Sequence, residues 1–296
     1  MSEVVLTHPP TRAAIALVLD SPHSGEWYPP DFDHAPSRAD VRQAEDTHVA
    51  RLWRGALDHG ATLVEAVFPR AYIDPNRSTA DIDPALFADD ERWPHPLTPS
   101  RKTEQGIGLV WRLARHGMPL YARKLRVAEV ARRIETCWQP YHDALAAAID
   151  ARHREFGAVW HIDCHSMPAV GDALADDPGR ERADIVLGDR DGTTCDPAFT
   201  ERVRDAFAAR GYGVAINDPY KGVETLRRHG HPSVNRHSLQ VEINRRLYMD
   251  EATLLTHAGH DALARDLAAI AADLVAWIAP RSRASQAPSP GATSRS

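Results

Sequence analysis

The chain has 296 residues, 43% of them hydrophobic, with 35 Lys plus Arg against 41 Asp plus Glu and a formal charge of −6. Such a composition allows a core of ordinary size, but it offers no global positive field to hold a nucleic-acid backbone or an anionic membrane. Cys137, Cys164 and Cys195 have no CxxC pairing, which argues against a disulfide framework and a cysteine zinc finger. No stretch approaches the roughly 20 apolar residues of a membrane span or has the form of a signal peptide, so a soluble, cytoplasmic protein is expected.

In chain order, short apolar runs bounded by turn residues read as buried strands at 14–19, 61–68, 159–162, 184–187, 213–216 and 239–243. Helical patterns lie between them at 46–58, from about 120 to 156 with a break near Pro140, and at 197–210. In the last helix Leu263, Leu267, Ile270, Leu274 and Ile278 share one face, which is the pattern of core packing. Strands alternating with helices predict a three-layer α/β fold whose central sheet is mixed and mostly parallel. Residues 1–280 read as a single domain, and the Ser-, Pro- and Arg-rich tail 281–296 is expected to be disordered. Segment 83–103, rich in Pro, Asp and Arg, is too long for an ordinary connection and reads as a mobile surface loop or a substrate lid.

The chemistry-bearing residues cluster where strands end. The first strand runs into Ser21-Pro22-His23-Ser24-Gly25-Glu26, which puts an imidazole and a carboxylate on one turn within reach of one ion. In His161-Ile162-Asp163-Cys164-His165, period-two alternation places the three polar residues on one face and Cys164 on the other, as a small core residue rather than a nucleophile. Three polar groups on a buried strand face are costly unless they are paired or bind metal. His23, Glu26 and His165 thus form a His-Glu-His set of the kind that holds catalytic zinc, with cobalt or manganese as alternatives. His165 is preferred as third ligand because it lies nearest the strand end. His161 reads as a core residue or one that supports the ligands from behind, and Asp163 as the carboxylate that orients a ligand imidazole.

Glu242, between Val241 and Ile243, is a lone acid in an apolar strand and is assigned as general base. Asn76 and Arg77, after another strand, offer an amide and a bidentate donor suited to a carboxylate, with Lys221 and Arg227 as candidates for a second one.

Seven strings in order, SPHSGEWYP, EDTHV, PRAYIDPNRS, DCHSMP, VLGDRDGT, NDPYKG and LQVEINRRLYMDE, resemble the N-formylglutamate amidohydrolase family from about Ala14 to Glu251. That family is similar in fold to zinc carboxypeptidases, and the resemblance implies hydrolysis of N-formyl-L-glutamate to formate and L-glutamate, a step in histidine breakdown. The family's HxxE, NR, His-Ser and catalytic Glu map onto His23 and Glu26, Asn76 and Arg77, His165 and Ser166, and Glu242. Where members often carry Gly-Gly-Tyr and Thr-Arg after the lysine, this chain has Gly222-Val223-Glu224-Thr225-Leu226-Arg227, which bears on the acyl amino acid accepted. The expected partner is a small anionic N-acyl amino acid. A carboxypeptidase, a deacylase of another N-acyl amino acid and a zinc-containing binding protein stay open as rivals.

Overall fold

The computed structural model describes residues 3–114, 117–173 and 175–285. Seven strands form one sheet in the order β1-β3-β2-β4-β7-β5-β6: β1 Val5–His8, β2 Leu17–Ser21, β3 Thr62–Ala66, β4 Val159–Met167, β5 Ile185–Gly188, β6 Val214–Ile216 and β7 Arg236–Asn244. β1 is antiparallel to β3 and β5 to β7; the other four pairings are parallel. Six of these strands fall on the expected apolar runs. The short, half-buried edge strand β1 was not among them, because its apolar run, Val4-Val5-Leu6, is only three residues long.

Alternation sorts the sheet's side chains onto two faces. Leu17, Leu19, Ile162, Cys164, Leu239, Val241 and Ile243 pack against α2 (Val49–Trp53), α6 (Pro197–Ala208) and α8 (Gly259–Ser285). Val18, Val64 and Val159 turn the other way, toward Tyr141, Leu145 and Ile149 of α5 (Gln139–Phe156). The five apolar residues expected on one face of α8 are all buried, each contributing about 1.5–3 kcal/mol of transfer free energy.

The helix expected from about residue 120 begins only at Val127, as α4 (Val127–Arg133), and joins α5 through one wide π-type turn, Ile134–Trp138. Pro140 sits in the first turn of α5, where a missing N–H costs no intrahelical bond. α8 runs through Pro280 to Ser285, past the expected boundary at 280, and residues 286–296 of the expected tail lie outside the described residues. Segment 83–103 is tied to the body: Phe87 bridges to Leu125, Trp93 stacks on Phe87 at 5.8 Å, and Asp81 accepts from both the N–H and the hydroxyl of Ser100. Because β2, β3, β4 and β7 are mutually parallel, their C-terminal ends open on one edge of the sheet, where open α/β folds bind ligands.

Candidate metal centre

On the α5 side of β2, β4 and β7 the alternation brings together a buried polar seam: Asp20, His161, Asp163, His165, Ser238, Gln240 and Glu242. The strand register pairs His161 with Ser238, Asp163 with Asp20 and Gln240, and His165 with Glu242. Deep in the seam His161 is fully satisfied, with Nε2 2.8 Å from Asp20 Oδ1 and Nδ1 2.7 Å from Ser238 Oγ. It is a core residue.

At the strand ends the seam becomes a different kind of site. His23, Asp46 and His165, all buried, present ligand atoms within 4.8 Å of one another. His23 Nδ1 and His165 Nδ1 lie 3.3 and 3.0 Å from the same oxygen, Asp46 Oδ2. Their other nitrogens also face acids: His23 Nε2 is 2.7 Å from Asp74 Oδ1, and His165 Nε2 is 2.8 Å from Asp163 Oδ1. The second contact is off the direction of a hydrogen bond, so both Asp163 oxygens stay without a partner and burial raises that carboxyl's pKa. Two imidazoles with a carboxylate behind each and one between them form a donor set that fits a divalent metal. Against the burial that disfavours a charged ring, Asp163 and Asp46 hold the His165 pKa well above its ordinary value. Although burial opposes ionisation, the imidazoles and Arg70 keep Asp46 well below the usual carboxylate range.

Glu26, expected in this set, is not brought to it. Gly25 runs so close to the end of β3 that an added Cβ would meet the Val67 and Phe68 backbone at 2.3 Å, and Trp27 donates to Val67 O. The chain is thereby directed outward. The Glu26 side chain is 47% exposed and pairs with Arg42 at 2.7 Å. The carboxylate of the cluster is Asp46, 20 residues further on, held from behind by Arg245 at 3.1 Å and carried in the EDTHV string that HxxE proximity overshadowed.

Asn76 and Arg77 line the cavity at this edge, about 460 Å³ in volume, together with His23, Asp46, His165 and Glu242. Asn76 is already engaged, its Nδ2 3.2 Å from His165 Nε2 and its Oδ1 accepting from the Thr225 N–H. Arg77 donates to Asn76 O, while its buried Nε has no partner. Lys221 reaches the rim, but its side chain is 54% exposed and its ammonium sits 2.9 Å from Asp191. Arg227 does not line the cavity: one turn along α7 (Glu224–His229) it grips Glu224 at 2.7 Å, with its side chain 57% exposed. Glu224 is held by Arg228 as well, so this acid serves the helix rather than the pocket.

Arg70, Lys102 and Arg245 also line the cavity, although no pattern in the sequence separates them from the other 32 Lys and Arg residues. Arg70 pairs with Asp74 at 2.9 Å, which ties together the acid behind His23 and the cavity wall.

Glu242 stands beside His165 across the β4–β7 ladder, accepting from Gln240 Nε2 at 3.1 Å. Burial pushes its pKa up to about 7, with His165 opposing and Asp46 reinforcing the shift. A buried acid at that value exchanges protons near neutrality, as a general base must. Cys164 faces the apolar core, and burial holds its thiol pKa well above the ordinary value, as expected of a packing residue.

Residues 15–249 match the model of the N-formylglutamate amidohydrolase family. An N-formylglutamate deformylase from Pseudomonas aeruginosa is 31% identical over 243 residues, 81% of this chain and 84% of that relative. One from Pseudomonas putida is 29% identical over 262 residues, 87% and 89% of the two chains. The crystal structure of an N-formylglutamate amidohydrolase from Ralstonia eutropha JMP134 superposes with a TM-score of 0.89 at 45% identity, covering 94% of this chain and 99% of that one. On this match, which spans the whole sheet from β2 to β7, the chain belongs to the N-formylglutamate amidohydrolase family.

Proposed function

We propose that the protein is a metal-dependent amidohydrolase converting N-formyl-L-glutamate and water to formate and L-glutamate. The observation that carries this reading is the buried His23-Asp46-His165 cluster with Glu242 beside it, sharing a cavity with several cations. The three side chains would hold the ion, and imidazole plus carboxylate donors fit zinc, with cobalt or manganese as substitutes. A divalent cation there supplies Lewis acidity, polarising a carbonyl and acidifying water.

The protein's own groups carry out the rest. Glu242 takes a proton from the attacking water as its oxygen bonds to the formyl carbon, then returns that proton to the amine nitrogen as the C–N bond breaks. Arg77 binds a substrate carboxylate and so orients the amide over the cluster, while Asn76 fixes the loop that carries Arg77. Asp74 orients the His23 imidazole through its hydrogen bond to Nε2, while Asp163 places a carboxylate behind His165. The names of the Pseudomonas relatives support the formyl substrate, and a place in histidine breakdown in the cytoplasm goes with the same reading.

The test is metal analysis of the purified protein followed by formate release from N-formyl-L-glutamate. Glu242→Gln is expected to retain metal while turnover falls by about 10²–10⁴. Ordinary turnover in that variant would remove Glu242 from its role, and a metal-loaded wild type inert toward formyl, acetyl and succinyl amino acids would be a binding protein.

A further inference from the structure

Five cationic side chains from Lys and Arg line the cavity: Arg70, Arg77, Lys102, Lys221 and Arg245. Three are already matched by acids, Arg70 by Asp74 at 2.9 Å, Lys221 by Asp191 at 2.9 Å and Arg245 by Asp46 at 3.1 Å. Among the described residues neither Arg77 nor Lys102 forms an ion pair. Asp176, the acid on the wall whose field Lys102 feels most, has its carboxylate 2.5 Å from Arg101. Two unmatched cations thus line one half-open cavity, an arrangement that an anion entering the cavity relieves. Burial depresses the Lys102 pKa, with Asp176 opposing and Arg77 reinforcing the shift.

The position of Lys102 is built in. It lies on the short helix α3 (Arg101–Glu104), and Asp81 accepts from the Ser100 N–H at 2.7 Å, from the Ser100 hydroxyl at 2.8 Å and from the Thr103 hydroxyl. Asp81 is four residues beyond Arg77 in the same loop, so one carboxylate ties the loop carrying Arg77 to the helix carrying Lys102. Gly108 is packed into this brace, since a Cβ there would meet Thr103 Oγ1 at 2.5 Å and Asp81 O at 2.6 Å.

We infer that Lys102 is the specificity residue for the substrate's second carboxylate, so that Arg77 and Lys102 together select an N-acyl amino acid with an acidic side chain over its amide analogue. The inference rests on the deformylase reading above and replaces Lys221 and Arg227 in the role expected of them. A neutral carboxamide leaves the ammonium without a counter-charge, and discrimination follows from that.

The test compares Lys102→Met and Lys102→Arg with wild type on N-formyl-L-glutamate and N-formyl-L-glutamine. Lys102→Met is expected to raise KM for the glutamate substrate about 10- to 100-fold with kcat little changed, so that its preference over the glutamine substrate falls by at least as much, and Lys102→Arg to restore most of the loss. An unaltered preference for glutamate over glutamine in Lys102→Met would overturn the inference. Calorimetric binding of glutarate, which needs no turnover, separates the two levels of the proposal. If no formyl substrate is hydrolysed but glutarate binds wild type at least about tenfold better than Lys102→Met, the deformylase reading fails and the role of Lys102 stands. Equal glutarate binding, or none to wild type, sinks the role of Lys102.

Discussion

The His23–His165 pair and the His142–His229 pair are both buried, with ring centroids 4.7 and 6.1 Å apart, yet their surroundings make them chemically unlike. Both nitrogens of His23 and of His165 face carboxylates, from Asp46, Asp74 and Asp163. His142 instead has the Pro75 carbonyl on Nε2, no partner on Nδ1, and the Trp138 ring at 4.2 Å; His229 has no partner on Nε2. Burial lowers their pKa values to about 4 and about 3. Paired imidazoles alone therefore do not make a cation site. What separates a metal centre from packing histidines is the negative charge that offsets the ion's desolvation.

Removing that charge should give the largest effect. Asp46→Asn is expected to lose bound metal and to depress formate release by well over about 100-fold, more than loss of a supporting carboxylate causes. Glu26→Gln, at the exposed position, is expected to keep both metal and activity. Metal-to-protein ratio and turnover measured on the two variants decide between them, and the reverse pattern would restore Glu26 to the ligand set.

A step smaller is Asp74→Asn, which takes the acceptor from His23 Nε2 and a partner from Arg70. Metal affinity should fall by about 10- to 100-fold while the ion still binds, as competition with a chelator would measure. Unchanged affinity would mean that the ligand acids alone create the contrast between the two histidine pairs.

The sequence made half of this contrast legible. Period-two alternation put His161, Asp163 and His165 on one strand face, and the structure places them there with Ile162 and Cys164 opposite. A strand pattern shows which way a side chain points, so Glu242 was readable for the same reason. Asp46 was not: the helical pattern expected over 46–58 begins only at Val49, so Asp46 lies in the irregular turn before it and is fixed by Arg245, 199 residues away in the chain. Nearness in sequence favoured Glu26, but the close passage of Gly25 along the end of β3 turns that residue outward. Arg227 was misplaced by a similar local effect, an ion pair three residues back along its helix. Strands were easier than helix limits: the apolar runs located six of them, whereas the helical patterns expected from 46 and from about 120 begin only at Val49 and Val127.

The smallest expected effect concerns stability. In His142 and His229 the folded-state pKa lies below the usual histidine value of about 6.5, so between about pH 6.5 and 4 the unfolded chain binds protons that the folded chain refuses. Stability attributable to these two residues is present above that window and drains away as pH falls through it, by roughly 3 kcal/mol for each histidine. His165 in the metal-free protein has the opposite sign, because a raised pKa favours the folded state at low pH and its contribution is lost as pH rises. Replacing His142 and His229 together by Gln should therefore shift the pH of maximum stability downward. Urea midpoints of the metal-free protein at pH 7 and pH 5 should then differ less in the double variant than in wild type. An identical difference in both proteins would show that the His142–His229 pair is not the acid-sensitive one, and that charge near the imidazoles does not distinguish the two clusters in the way their geometry indicates.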